Sequence, residues 1–280
     1  MAGRHPGGDP LTLRVRRLRY DARELISKYP AVYFPYVRLT HSGGHGKILS
    51  DDTEIVIDGF TRSASTFAVM AFQLSQDRPV RVARHLHAAA QLTEAAKREV
   101  PTILTIRDPE STVLSAVTRE PHLTMGQVLR SYASFYIRIA PVCSRFVVAD
   151  FAQVTKDFGM VVRRLNQKFG TGFREFEHTE TNVKQCFELI EERWRRTAAL
   201  EKFQSGFIGL DELRRTLDPI RRETPQRGVR EMAVARPSER REARKAQLHT
   251  EFRAPGIAPL RARAFSAYER VAAWSRVDGS

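Results

Sequence analysis

Apolar and polar positions change period several times along the chain, and each change predicts an element. Ile55-Val56-Ile57 is a short apolar run closed by Asp58-Gly59, which predicts a strand and a tight turn; apolar spacing from Thr66 to about Gln76 then follows a helical period. Val80 to His87 predicts a second strand, Ala88 to Glu99 a helix rich in Ala, Leu, Glu and Lys, and Thr102 to Ile106 a third strand. Pro109 opens a helix to Arg119, with Pro near its first position and Glu110 in its first turn. A longer helix from about Thr124 to Ile139 leads to a fourth strand, Phe146 to Ala149, and then to a helix from about Gln153 to Phe169 closed by Gly170. Beyond residue 180 the helical period dominates, over Asn182–Lys202, Ser238–Glu251 and Leu260–Ser275.

Strands alternating with helices predict an α/β fold in three layers, a central parallel sheet flanked by helices, here with a helical C-terminal extension. Ligands in such folds collect beyond the carboxyl ends of the strands. The expected organisation is an N-terminal arm over 1–50, a nucleotide-binding core over 51–175, and a helical part over 176–280 packed on the core as one integrated domain. Residues 1–10, rich in Gly and Pro, read as untethered. Tyr29, Tyr33, Phe34 and Tyr36, interrupted by Pro30 and Pro35, read as a packing arm without chemistry. His41 and His45 are four apart, but Gly43, Gly44 and Gly46 argue for a loop over a metal-binding helix.

The 280 residues are 42% apolar and 28% charged, the balance of an ordinary globular chain, which excludes wholesale disorder and fibrous folds. No stretch reaches the roughly 18 uninterrupted apolar residues of a membrane span, and no apolar signal-peptide region follows the first charges. Cys143 and Cys186 lie far apart without metal-ligand spacing, as expected of two reduced thiols in a cytoplasmic protein. The net charge of +14 favours anionic partners. Its basic runs, Arg221-Arg222, Arg227 with Arg230, Arg236, and Arg240 to Lys245, alternate with Glu as solvated helix faces do, and no zinc-finger spacing or RNP-type strand accompanies them. Nucleic acid is therefore not the expected partner.

The chemistry gathers at the strand ends. Gly59-Phe60-Thr61-Arg62-Ser63-Ala64-Ser65-Thr66 matches the G-x-x-x-x-G-K-[ST] phosphate loop in register, with Ala64 for the second Gly and Ser65 for the Lys. Backbone N–H groups from Arg62 to Thr66 can still face an anion at a helix N-terminus, and the small side chains Ser63, Ala64, Ser65 and Thr66 let it approach. The missing Lys leaves Arg62 as the cation and speaks against ATP-dependent kinase chemistry. Arg107-Asp108-Pro109 ends the third strand, and Ser115 follows eight residues after Arg107, about two turns into the helix. Taken alone, Asp108 caps that helix and Arg107 pairs with it. Under the period-2 rule His85 and His87 share one face of the second strand, where a neutral imidazole could take a proton from a hydroxyl.

These motifs, in this order, resemble the PAPS-dependent sulfotransferases (PAPS is 3′-phosphoadenosine 5′-phosphosulfate). Gly59–Thr66 is similar to that family's 5′-phosphosulfate loop, with Arg62 at its cation and Ser65-Thr66 at its paired hydroxyls. Arg107-Asp108-Pro109 with Ser115 resembles the 3′-phosphate motif, and His85 lies on the strand that carries the family's general base. Val147-Val148-Ala149-Asp150-Phe151 and Asn166-Gln167-Lys168-Phe169-Gly170 are also similar to members of it. The resemblance covers roughly 54–170 and departs at Ala83, which stands where the family carries Lys, leaving Arg62 or Arg84 to supply charge. The C-terminal Arg-Lys-Gly loop has only Arg227-Gly228 as a counterpart.

The resemblance implies a P-loop-type fold and metal-independent transfer of a sulfuryl group from PAPS to an acceptor alcohol, a carbohydrate or a small metabolite. His85 would be the general base, with His87 as the alternative. Arg62 would stabilise the leaving oxygen, Ser63, Ala64, Ser65 and Thr66 would complete the loop, and Arg107 with Ser115 would hold the 3′-phosphate. The alternatives are a small-molecule kinase and a non-catalytic module binding an anion or nucleic acid on a degenerate fold.

Overall fold

A computed structural model describes residues 10–40, 47–190, Glu212, Arg215 and 239–277. The element order is α1 (Pro10–Ile26), α2 (Pro30–Thr40), β1 (Ile55–Gly59), α3 (Ser65–Ser75), β2 (Val82–Arg84), α4 (Ala89–Lys97), β3 (Thr102–Ile106), α5 (Pro109–Arg119), α6 (Met125–Ile139), β4 (Val147–Asp150), α7 (Phe151–Lys156) and α8 (Phe158–Phe169). A helical run over 180–190 follows, and then α9 (Glu239–Arg253) and α10 (Ala258–Val277). The four strands form one parallel sheet in the order β2-β1-β3-β4.

The alternation expected from the sequence is present, and the two sheet faces bury different halves of each strand. Val56, Leu104, Ile106 and Val148 face the layer that holds α4, α5, α6 and α10. Ile55, Ile57, Ile103, Val147 and Ala149 face α3, α7 and α8. Because both faces are covered, the strands read as continuous apolar runs. Chain order leaves β1 toward β2 on one side and returns to β3 on the other, so the ends of β1 and β3 flank a topological switch point.

Local signals account for most boundaries. Asp108 caps α5 by accepting a hydrogen bond from Ser111 N at 2.8 Å. Thr124 and Gln127 form a capping box at α6. Gly170, with φ of 64°, ends α8 in the left-handed conformation expected of it.

The expected packing arm holds two helices, α1 and α2, and buries Tyr33, Phe34 and Val37 in a small cluster with Leu86 and Ala90. Two expectations are corrected. The single helix expected over Gln153–Phe169 is two, because Asp157 takes an extended φ of −153° and caps α8 by accepting from Met160 N. The second strand stops at Arg84, and His85 and His87 have φ of 58° and 51°. The period-2 argument for a shared His face therefore has no strand to act on. Residues 1–9, His41, His45, Arg221, Arg222, Arg227, Gly228, Arg230 and Arg236 lie outside the described residues, as does the expected helix beyond 190. None of the helices described is long and apolar enough to cross a membrane.

Candidate active site

The turn after β1 is shaped by close approach and by backbone conformation. A Cβ at Gly59 would run into the carbonyl oxygen and hydroxyl of Thr105 on β3, so only glycine lets the strands close there. Ser63 is buried, with its hydroxyl donating to Phe60 O at 2.7 Å and lying 2.8 Å from Thr105 Oγ1. Its side chain thus ties the turn to β3. Arg62 and Ala64 both take left-handed φ, 70° and 69°. Turns that alternate in this way present successive N–H groups as an anion-binding concavity, and strained backbone of this kind concentrates at functional sites. Helix α3 starts directly after it at Ser65.

Above this turn lies a cavity of about 760 Å³. Its lining includes Arg62, Ala64, Ser65, Thr66, His87, Arg107 and Ser115, so most of the residues singled out in the sequence converge here. Arg62 Nε donates to Ser115 Oγ at 2.9 Å, joining the β1 turn to α5. Arg107 reaches Arg62 O at 3.3 Å, and its guanidinium lies over the Phe151 ring at 4.1 Å. Tyr132 donates to Arg107 O at 2.6 Å; burial keeps its phenol protonated far above the ordinary range, so it acts there as a fixed donor.

The two histidines separate. His87 lines the cavity. Its Nδ1 is 2.8 Å from Gly59 O, and a carbonyl can only accept, so Nδ1 carries the proton and Nε2 is the basic nitrogen of the neutral ring. Asp58 Oδ1 is 3.3 Å from the same Nδ1. His85 is not among the lining residues, and its ring centroid is 6.0 Å from that of His87. Arg84 donates to Val82 O at 3.2 Å, back along its own strand, and Ala83 is buried.

Sequence reasoning passed over several residues. Asp58 is fully buried and accepts from the backbone N–H groups of Gly59, Leu86 and His87 and from Gln91 Nε2. The pattern Asp58-Gly59 marks a turn, and Asp58 also fixes the β1 end to the segment bearing both histidines. Arg119 lines the cavity one helical turn beyond Ser115, a spacing that would have revealed it. Phe151, Thr155, Glu242 and Lys245 arrive from α7 and α9, with Lys245 Nζ 2.6 Å from Glu242 Oε1. No local pattern announces them. Arg62, Arg107, Arg119 and Lys245 set four cations against the carboxylates of Glu120 and Glu242 around the cavity. A polyanionic ligand suits this balance. In comparisons with known proteins, no family model, no curated protein and no solved structure matches the chain.

Proposed function

We propose that the chain is a sulfotransferase that moves the sulfuryl group of PAPS to the hydroxyl of an acceptor alcohol, a carbohydrate or a small metabolite. On this reading the sheet belongs to a P-loop-type fold and the protein works in the cytoplasm. One observation carries the reading: Arg62 and Ser115, drawn from two separate motifs, meet at 2.9 Å on a cavity wall that also holds Arg107.

The residues present fit such a donor. The turn with left-handed Arg62 and Ala64, the start of α3 at Ser65 and the surplus of cations suit an anion at the β1 end. When bound, PAPS supplies a sulfuryl group on a phosphate oxygen that leaves as an anion. Arg62 stabilises the charge that develops there, and Ser65 and Thr66 donate hydrogen bonds to it. Ser63 contributes through its backbone, since its hydroxyl is committed to the turn. Arg107 and Ser115 hold the 3′-phosphate, the group that sets this donor apart from ADP. His87 Nε2 receives the acceptor's proton, because its partner Nδ1 is held by Gly59 O. His85, the base expected from the resemblance, is not among the lining residues, which favours His87 for the role.

The test is thermal stability of the full chain with PAP, the desulfated product, against ADP and AMP, with and without Mg²⁺. A ligand at about 100 times its Kd adds roughly 2.7 kcal/mol of stability. The expected outcome is metal-independent stabilisation by PAP that exceeds that by ADP and is lost in Arg107→Ala. Stabilisation by Mg²⁺-ADP alone would replace the reading with a kinase, and no response to any nucleotide would leave only the non-catalytic module.

A further inference from the structure

Helix α1 packs one face on the protein and leaves an apolar stripe on its solvent side. On the inner side Tyr20 and Ile26 pack against the core, Arg17 Nε donates to His122 O at 2.6 Å, and Arg23 Nη2 donates to Leu86 O at 2.9 Å. On the outer side Leu11, Val15, Leu18 and Leu25 are 66%, 47%, 67% and 61% exposed, and Ala22 between them is exposed as well. The spacing 11, 15, 18, 22, 25 alternates steps of four and three. That is a heptad seam with Leu at the d positions and Val and Ala at the a positions.

At 3.6 residues per turn the stripe spans only about 80° of the helix. An interfacial helix on a bilayer buries a broader apolar face, whereas a narrow a/d stripe suits the groove of one other helix. The flanking charges then choose the partner and its direction. In a parallel pair of α1 helices Arg14 would face Arg19 of the other copy, a like-charge contact. In an antiparallel pair with Leu11 opposite Ala22 and Val15 opposite Leu18, large side chains meet small ones. Arg14 then comes within about 3 Å along the axis of Asp21 of the other copy, twice by symmetry. Asp21 is exposed, with its Oδ2 accepting from Gln127 Nε2 at 2.9 Å.

We propose that α1 pairs with α1 of a second copy of this chain as a short antiparallel coiled coil, with Val15, Leu18 and Ala22 as its core and Arg14–Asp21 contacts setting its direction. The proposal is independent of the chemistry proposed above. It places the dimer axis beside residues 16 and 17, where Arg17 holds His122 O.

Sedimentation of the full chain from about 1 µM to about 100 µM tests it. The expected result is a concentration-dependent dimer that Leu18→Glu weakens at least about tenfold without changing the circular dichroism. Arg14→Glu and Asp21→Arg each weaken it, and the variant carrying both restores it. Leu11→Cys mixed with Ala22→Cys forms a cross-linked dimer while Ala22→Cys alone does not, because about 16 Å separates the two Ala22 levels in the antiparallel pair. A chain that stays monomeric throughout overturns the proposal, as does a dimer indifferent to Leu18→Glu. Cross-linking of Ala22→Cys alone would establish a parallel pair and overturn it too. So would flotation of a monomeric chain with anionic vesicles.

Discussion

At the scale of single residues, the site depends on groups whose alternatives are sterically or electrostatically closed. Gly59 is set by the carbonyl of Thr105, and Ser63 by hydrogen bonds beneath the turn. His87 is set by Gly59 O and by the Asp58 carboxylate. The two histidines therefore have different expected phenotypes. His87→Gln lowers the rate of sulfuryl transfer by roughly 10²–10⁴ at unchanged PAP affinity, whereas His85→Gln retains most of it. Single-turnover rates with PAPS, alongside PAP titration, separate the two, and equal losses would return the base to either ring. Arg62, Ser65, Thr66, Arg107 and Ser115 were legible in the sequence because loop chemistry and strand-end position are local properties. The end of the second strand at Arg84 was not, since the left-handed backbone at His85 and His87 goes with hydrogen bonds from the N–H groups of Leu86 and His87 to the distant, buried Asp58 carboxylate.

At the scale of elements, caps and strand ends decide where chemistry falls. Asp108 caps α5 while the adjoining Arg107 lies over Phe151 and reaches Arg62 O. Asp157 divides what periodicity alone joins into one helix, since it accepts a hydrogen bond from the first turn of α8, as Asp150 does from that of α7. Asp157→Ala is expected to cost about 1 kcal/mol, read as a lower urea midpoint at constant slope. A loss within error would mean that the break at 157 is held by packing of Phe158 and Val161 instead. Helices α1 and α2 escaped the sequence reading for a related reason. Their apolar positions are partly on the solvent side, so the amphipathic signal does not mark a core-facing stripe.

At the scale of the whole molecule, the C-terminal helices are part of the fold. Ala264, Ala267, Val271 and Ala272 of α10 are buried in the same core as Leu104 and Tyr136, and α9 carries Lys245 to the cavity. Burial also reaches both cysteines and pushes each thiol up to about 12. The native chain is therefore expected to leave Cys143 and Cys186 unmodified by a thiol reagent at mildly alkaline pH, and to expose both together on unfolding. Because the thiols ionise more readily when unfolded, their contribution to stability is full below about pH 9 and falls as pH rises toward 12. Urea midpoints at about pH 8 and pH 10 measure that decline, and rapid modification of either thiol in the folded protein would contradict the packing described.

The sequence by itself determined the alternation of strands and helices, the parallel sheet, and the placing of Arg62 and Arg107 just beyond the ends of β1 and β3. These are written in hydrophobic period, capping residues and local spacing, which act over a few residues. Only the tertiary structure decided which of these ends share a cavity, that Asp58 orients His87, and that Arg119, Phe151 and Lys245 join them. It alone also turned the seam of α1 outward. Such matters depend on how separate elements pack across the sheet, and no single segment carries that information.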